Sequence, residues 1–479
     1  MPGIESVVLT LYYSTLAALA VFSVHRLHLV RLRRSTRPLA LPPAPDRWPS
    51  VTIQLPLFNE PNVAARLIDA SAAIRYPGAL QIQVLDDSTD DTVGIVAGRV
   101  TELRQQGVAI EHLHRDSRDG YKAGALAHGV KLSRSELFAV FDADFLPGPD
   151  ILLATVPFFS DPAVGMVQTR WEHLNREDSM LTRVQAIFLD AHFAVESAAR
   201  NFGGCFFNFN GTAGIWRREA IEEAGGWSAS TLTEDLDLSY RAQLAGWKFV
   251  FVPGVAVPGE LPAVLSGFQE QQHRWAKGSI QTARKVLPSI LRSAQPLRVK
   301  AEALFHLTNN SAYVLSVLLA VLIVPALMIR HRDGFSPLLL IDAAFFVVSS
   351  GSVLFFYVEG QRQVGRTVRI RDLAAVMPVG IGMAVRNANA VIAGLVQNGG
   401  VFSRTPKRGD APRHRTEMRA RMPWAETGLL VYLAVAVGAF VADGYWTGLP
   451  FLGLLMTGYG WSAKEAWREF RAFSEREAL

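Results

Sequence analysis

Cysteine and charged residues are both scarce in this chain of 479 residues. Its single cysteine, Cys205, cannot form an internal disulfide or a cysteine-based zinc site, which excludes a disulfide-stabilised extracellular scaffold. Charged residues make up 19% of the chain and hydrophobic residues 49%, whereas about 25% of the residues in an average soluble protein are charged. The net charge of +5 is small for this length, so the composition indicates no nucleic-acid partner.

Sequence motifs of several enzyme classes are also missing. The chain has no Walker loop, no dinucleotide-binding glycine fingerprint, no HExxH and no GxSxG. These absences count against ATPases, dehydrogenases, zinc proteases and serine hydrolases. The residues left for chemistry are several carboxylates and one Arg-Trp pair.

Five apolar segments are long enough, or nearly so, to cross a bilayer as helices. The first resembles a signal peptide because Ala18-Leu19-Ala20 looks like a cleavage site, but Glu5 lies in its flank and its basic residues follow it. We therefore interpret it as a membrane span. The five segments are 6–25, 304–329, 337–358, 427–442 and 447–463.

The basic residues predict the orientation of these spans. A cluster from Arg26 to Arg37 follows the first segment, so we expect the N-terminus outside and the next part of the chain in the cytoplasm of an inner or plasma membrane. Later basic clusters should lie on the same side, which requires an even number of crossings between them. Segment 372–398 lies between two such clusters and carries Arg386, so we interpret it as interfacial or re-entrant.

Residues 46–290 show the alternation of short β-rich runs and helical stretches that is typical of an α/β domain. We therefore divide the chain into a first span with a basic linker (1–45), this cytosolic domain (46–290) and a C-terminal membrane region (291–479) with a cytosolic loop at 399–424. A proline-rich linker at 38–49 joins the first two parts. The candidate strands are 51–55, 81–85, 109–113 and 137–141.

Polar clusters follow all four candidate strands, where ligands of open α/β sheets bind. Asp142 and Asp144 come directly after the fourth strand, and their oxygens suit a divalent cation that also binds phosphate. Taken alone, each of these clusters could also be a solvated turn, a helix cap or a charged loop. The clusters are 59–60, 86–91, 118–122 and 142–144.

Two further groups lie later in the domain. Glu234 and Asp235 stand in LTEDLDL, where the dipole of a helix would favour acids without any catalysis. Gln271, Arg274 and Trp275 are about one helical turn apart and could share one face, as they also would in a buried amphipathic helix.

Taken in order, these segments resemble glycosyltransferase family 2, and specifically its membrane-embedded processive members such as cellulose synthase and the cellulose-synthase-like A mannan synthases. The similarity covers about residues 50–290 and resumes at FSRTPK (402–407), which looks like the gating-loop motif FxVTxK with Arg404 in place of valine. The motifs are QLPLFNE at 54–60, LDDSTD at 85–90, GYKAGAL at 120–126, DAD at 142–144, FNGTAG at 209–214, TED at 233–235 and QQHRW at 271–275.

This resemblance implies a GT-A type nucleotide-sugar-binding domain joined to α-helical membrane spans. It implies catalysis by Asp235 beside Glu234, and a Mg²⁺ or Mn²⁺ ion bound by Asp142 and Asp144. Trp275, Phe209, Asn210, Gly211 and Thr212 would bind the acceptor, and Phe402, Arg404, Thr405 and Lys407 would form the gating loop. The donor site would comprise Phe58, Glu60, Asp86, Asp87, Arg118, Lys122, Asp142, Gln271 and Arg274.

The function implied is that of an inverting, processive β-glycosyltransferase. It would use GDP-mannose or UDP-glucose to extend a mannan, glucomannan or glucan acceptor. The growing β-glycan would leave through a channel lined by the spans and the interfacial segment, with membrane lipids around them. One alternative is transfer of a single sugar to diacylglycerol or ceramide. Another is a transporter or scaffold whose soluble domain only binds a nucleotide. The sequence gives no indication of the oligomeric state.

Overall fold

A mixed β-sheet forms the centre of the α/β part of the chain. The computed structural model describes residues 2–37, 39–332, 338–400 and 422–477, and within them the sheet has seven strands in the order β3-β2-β1-β4-β6-β5-β7. Strand β6 alone runs antiparallel to its neighbours in this sheet. The strands are β1 (Val51–Leu57), β2 (Leu80–Asp86), β3 (Ile110–His114), β4 (Leu137–Val140), β5 (Val164–His173), β6 (Gly214–Arg217) and β7 (Lys248–Gly259).

The four strands predicted from the sequence are β1 to β4, each within two residues of its predicted bounds. Strand β1 lies between β2 and β4, and Val51, Ile53 and Leu55 are fully buried. A parallel strand covered on both faces needs such a nearly continuous apolar run. Gln54 is also buried, and its amide donates to the side-chain oxygen of Gln83 on β2 at 3.1 Å.

Helices connect the strands and continue into the membrane region. A 3₁₀ turn spans Val156–Ser160 and a π-helical turn spans His192–Ser197. The helices are α1 (Pro2–Ser35), α2 (Ala64–Ala72), α3 (Thr92–Gln105), α4 (Tyr121–Leu132), α5 (Ile151–Thr155), α6 (Met180–Ala191), α7 (Ala198–Phe202), α8 (Arg218–Glu223), α9 (Glu234–Leu244), α10 (Leu265–Arg292), α11 (Leu297–Thr308), α12 (Ser311–Arg332), α13 (Leu338–Gln363), α14 (Ile370–Gly382), α15 (Ala384–Val396), α16 (Trp424–Ala442) and α17 (Leu449–Glu477).

Four helices in the described part of the chain are long and apolar enough to cross a membrane. They are Gly3–Ser35, Ser311–Arg332, Leu340–Gln363 and Trp424–Ala442, and they contain most of four of the five predicted spans. The fifth predicted span, 447–463, lies mostly in α17, and this helix is less apolar than the other four. The reason is composition, because α17 becomes strongly charged from Lys464 onward.

Segment 372–398 forms two helices rather than one. Helices α14 and α15 meet at a 45° bend, and the pair is apolar enough to be one broken span or a re-entrant loop. Helix α10 of the α/β part packs along α15, so the bent pair lies directly against the domain.

An ion pair joins α1 to α13, and a hydrogen bond and a close glycine contact join these two helices to the α/β part. Both oxygens of Glu359 on α13 accept hydrogen bonds from Arg34 on α1, at 3.1 and 2.5 Å. Arg33 donates to the backbone oxygen of Ala194 at 3.1 Å. Gly360 approaches Ala191 so closely that an added Cβ would lie 2.6 Å from it. The membrane helices therefore have a defined contact with the α/β domain.

Candidate active site

A cleft of about 170 Å³ opens at the carboxyl ends of β1, β2 and β4. Its walls contain residues that are as far apart in sequence as Phe58 and Trp275, because the parallel strands end at one edge of the sheet and α9 and α10 close the other side. The residues predicted from sequence that line it are Phe58, Glu60, Asp87, Arg118, Lys122, Asp142, Asp144, Asn210, Gly211, Glu234, Asp235, Gln271, Arg274 and Trp275.

Asp142 and Asp144 lie just beyond the end of β4. The backbone N–H of Asp142 donates to the hydroxyl of Thr212 at 2.9 Å, which fixes the turn. The ammonium group of Lys122 pairs with the Asp142 carboxylate and donates to the Gly211 carbonyl at 2.7 Å. Two carboxylates on one cleft wall provide the oxygen ligands that Mg²⁺ and Mn²⁺ prefer, so these residues fit such an ion.

Asp235 lies in the first turn of α9 and faces Gly211. Gly211 has a φ of +84°, and a Cβ added there would lie 3.0 Å from Asp235 Oδ2. Burial of the carboxyl and the neighbouring charge of Glu234 raise the pKa of Asp235 to about 7, although Lys122 acts in the opposite direction. A half-buried carboxyl group that titrates near neutral pH is suited to general-base chemistry.

Cationic side chains line the same cleft. Burial disfavours the charged form of Lys122, but the charges of Asp142 and Glu234 outweigh burial and raise its pKa. Burial lowers the pKa of the Arg274 guanidinium on α10. The guanidinium of Arg118 stacks on Phe58, with its Cζ atom 3.3 Å from the ring centroid. This arrangement can neutralise an anion as highly charged as a diphosphate.

Aromatic and amide groups form a further part of the wall. The rings of Trp171 and Trp275 have centroids 6.4 Å apart, and both line the cleft. The backbone N–H of Asn210 donates to Gln168 Oε1 at 3.0 Å, and its side-chain oxygen is 2.9 Å from His192 Nε2. Indole rings next to an amide group that hydrogen bonds fix in position are typical of sites that bind an amphipathic ring such as a sugar.

Three predicted site residues do not line the cleft. Asp86 is fully buried, where it bonds to His112 Nε2 at 2.8 Å and to the Ser88 N–H at 2.9 Å, so its neighbour Asp87 is the one that faces the cleft. Phe209 is buried against Trp216 and Trp227. Thr212 is buried beneath Asp142. These three side chains support the wall, and the expectation that they contact a ligand directly is corrected.

The predicted gating-loop residues Phe402, Arg404, Thr405 and Lys407 lie outside the described residues.

Several residues in or beside the cleft were not predicted from the sequence. Arg115 lies behind the lining residue Asp87 and holds it through two hydrogen bonds, at 2.7 and 2.5 Å. Trp171, His173 and Glu260 line the cleft from the ends of β5 and β7. Arg115 follows a candidate strand and could have been noticed there. The other three lie on or beside strands that the sequence pattern did not reveal.

A second cavity, of about 390 Å³, lies among the apolar helices α1, α12, α13 and α14. His192 and Gln272 line it at the end nearest the cleft, since His192 contacts Asn210 and Gln272 adjoins Gln271. Its other lining residues include aromatic rings, hydroxyl groups and three charged side chains, those of Arg26, Glu196 and Asp342. They include Tyr12, Phe22, Arg26, Tyr313, Ser316, Asp342, Phe345, Phe346, Ser349, Ser350 and Tyr357.

Comparisons with known proteins identify the family and agree with this fold. Residues 49–278 match the family described as glycosyltransferase-like family 2. Over 407 residues the chain is 35% identical to glucomannan 4-β-mannosyltransferase 7 of Arabidopsis thaliana. The aligned residues make up 82% of this chain and 71% of that protein. It is 44% identical over 250 residues to the probable glucomannan 4-β-mannosyltransferase 7 of Oryza sativa subsp. japonica, covering 51% of this chain and 43% of that protein.

A solved structure shows a related fold. The mannosyltransferase PcManGT from Pyrobaculum calidifontis, in complex with GDP-Man and Mn²⁺, superposes with a TM-score of 0.57 at 19% identity. The superposition covers 82% of this chain and 99% of that one.

The mixed sheet and the cleft at its carboxyl edge define a GT-A type glycosyltransferase fold attached to apolar helices. The chain belongs to glycosyltransferase family 2, and its curated relatives include glucomannan 4-β-mannosyltransferases. The resemblance inferred from the motifs is thereby confirmed. The chain spans about half the length of several of these relatives.

Proposed function

We propose that the protein is an inverting β-mannosyltransferase that extends a mannan or glucomannan chain and passes it into the membrane. One observation carries the chemical part of this proposal. Asp235 and Lys122 approach Gly211 from the same cleft, and Lys122 pairs with Asp142, so a proton acceptor lies beside a cation-rich anion site. The mannosyl donor is proposed because the similar relatives are mannosyltransferases and the structural neighbour holds GDP-Man.

The donor would lie with its nucleoside end against Phe58, Arg118 and Asp87, and with its diphosphate between Lys122 and Arg274. Asp142 and Asp144 would hold a Mg²⁺ or Mn²⁺ ion, which would supply further positive charge to the departing diphosphate. Lys122 and Arg274 stabilise the same negative charge as it develops. The cleft therefore assists the departure of the nucleoside diphosphate.

Asp235 would accept the proton of the attacking hydroxyl group. As that oxygen bonds to the anomeric carbon, the bond between the carbon and the diphosphate oxygen breaks, and the electron pair leaves with the diphosphate. A single displacement on an α-linked donor gives a β-linked product. Ionised Asp235 is the form required, which the raised pKa makes sensitive to pH in the neutral range.

The acceptor chain would occupy the side of the cleft formed by Trp171, Trp275 and Asn210. His192 touches Asn210 and also lines the second cavity, so a chain that leaves this subsite meets the membrane cavity directly. The aromatic rings and hydroxyl groups there suit a sugar chain, which presents apolar faces and polar edges. This adjacency supports elongation coupled to translocation, with the α/β domain on the cytoplasmic side and the N-terminus outside.

A lipid acceptor is the second candidate, because Leu16, Leu19 and Ile323 also line the second cavity and could hold an acyl chain. The two candidates differ in the product they release. A polymer is insoluble in organic solvent, whereas a glycosylated lipid is extracted by it.

Purified full-length protein incubated with radiolabelled GDP-mannose, GDP-glucose or UDP-glucose, with Mg²⁺ or Mn²⁺, tests both candidates. We expect label from GDP-mannose in a polymer that β-mannanase degrades, and transfer about 10³-fold slower in the Asp235→Asn variant. A product confined to the organic phase would replace the polymer with a lipid acceptor. Failure of every donor would reject the proposed activity.

A further inference from the structure

Two histidines and an aspartate form a compact group on the edge of the sheet, behind the cleft. His112 and His114 are alternate residues of β3, so their side chains lie on one face of this outermost strand. Asp86 ends the neighbouring strand β2 and is the register partner of His114. Asp86 Oδ2 is 2.8 Å from His112 Nε2 and 3.6 Å from His114 Nδ1.

We infer that this group binds a divalent cation of the Zn²⁺ or Co²⁺ class. In a tetrahedral zinc site with bonds of about 2.0–2.1 Å, neighbouring ligand atoms are about 3.3 Å apart. The two separations measured here lie on either side of that value, so small side-chain movements would complete the geometry. Two imidazoles and one carboxylate leave a fourth position for water, as in known three-ligand zinc sites.

The surroundings of Asp86 support this assignment. Its second oxygen, Oδ1, accepts the backbone N–H of Ser88 at 2.9 Å, which fixes the carboxylate and directs Oδ2 toward both imidazoles. Such a bond to a ligand's other atom is typical of metal sites. The Asp86 side chain is fully buried, whereas 36% of the His114 side chain is exposed, so a cation can enter from the His114 side.

This site differs from the proposed catalytic one in both position and ligand chemistry. Asp142 and Asp144 offer oxygen ligands at the end of β4, whereas nitrogen ligands favour Zn²⁺ and Co²⁺ over Mg²⁺. Binding would replace the hydrogen bond between Asp86 and His112 Nε2 by bonds from both groups to the cation, with the proton of the neutral imidazole on Nδ1. The cation would link β3 to β2 and stabilise the folded protein.

The test uses purified full-length protein treated with a chelator and then kept in excess Mg²⁺, so that oxygen sites are filled. We expect one added Co²⁺ per chain to give the visible absorption of a tetrahedral nitrogen and oxygen site, and Zn²⁺ to displace it. We also expect Zn²⁺ to raise the Tm. These readouts do not depend on glycosyl transfer. The metal site can therefore be rejected without rejecting the proposed function, and the reverse is also true.

His114→Gln removes one ligand at the exposed edge and keeps the Asp86–His112 bond, so this variant should fold even if His112→Gln does not. We expect its Co²⁺ affinity to fall at least about 10-fold. His128→Gln is the matched control, because His128 is an exposed histidine on α4 that does not belong to this group. Unchanged affinity in His114→Gln, or no Co²⁺ spectrum in the wild-type protein, would show that the group only joins β2 to β3 by hydrogen bonds.

Discussion

The cleft and the membrane cavity adjoin one another, yet their walls have opposite character. Carboxylates, one lysine and two arginines dominate the cleft, whereas aromatic rings, hydroxyl groups and aliphatic side chains dominate the cavity. Charge stabilises a transition state that exists at one position. A path for a moving polymer instead requires contacts that are individually weak, because strong binding at any point would stop movement. This difference is the one that the proposed function requires, with chemistry at the cleft wall and passage along the cavity wall.

The largest expected effect comes from removing the proposed base. Asp235→Asn keeps the size of the side chain but cannot accept a proton, so we expect the transfer rate to fall about 10³-fold while donor binding persists. Radiolabel transfer and equilibrium binding of the donor measure the two quantities. Glu219→Gln is the matched control, since Glu219 is an exposed acid in the first turn of α8. Wild-type turnover in Asp235→Asn would eliminate this residue as the base.

Blocking the cavity should separate passage from chemistry. Gly380 lines the membrane cavity, and a Cβ added there meets no atom within 4 Å, so Gly380→Trp can project a large ring into the path. We expect the polymer to become much shorter while transfer of the first sugars continues, as measured by gel filtration of labelled product. Gly453→Trp is the control, because Gly453 also has open space but does not line the cavity. Equal product lengths in the two variants would argue that the chain follows another route.

The cleft could be predicted from the sequence far better than the cavity. Its acids and cations lie in short motifs at the ends of strands, and parallel strands bring those ends together. Consecutive residues of a strand point to opposite sides, so the sequence could not tell which of Asp86 and Asp87 faces the cleft. His192 lies in a π-helical turn within an apolar helical stretch and has no motif of its own.

The strands that follow β4 were harder to predict than the first four. Strand β6 has only four residues and β7 contains prolines and glycines, which weakens the pattern of each. The cavity is lined by several residues from each of several helices, and these helices become neighbours only through packing. The predicted span at 447–463 stays a prediction, because most of it forms the first part of α17, a helix whose later residues are charged.

Substitution of Trp275 tests whether the acceptor side of the cleft binds sugar through aromatic contacts, as proposed for the cavity, or through charge, as proposed for the donor side. Loss of a stacking ring costs about 0.5–1.5 kcal/mol, so we expect Trp275→Ala to weaken acceptor use by up to about 10-fold. Donor hydrolysis in the absence of acceptor should change less. Trp275→Phe keeps an aromatic face and should retain most of the acceptor affinity. An equal loss of hydrolysis and elongation in Trp275→Ala would assign the residue to the donor side instead.

The smallest effect concerns the charge beside the base. After burial, the charge of Glu234 is the largest cause of the raised pKa of Asp235, so Glu234→Gln should lower that pKa. Because ionised Asp235 is the active form, activity falls as pH decreases through this pKa, which is about 7 in the wild-type protein. The acid limb of kcat/KM against pH should therefore move to lower pH in Glu234→Gln, with little change at alkaline pH.

Lys122→Met removes a positive charge that lowers the pKa of Asp235, so it should move the same limb to higher pH. The overall rate of this variant will be lower, because Lys122 is also proposed to stabilise the diphosphate. If both variants moved the limb in one direction, the titrating group would not be Asp235, and the proposed division between a proton-accepting wall and a passive cavity would lose its chemical basis.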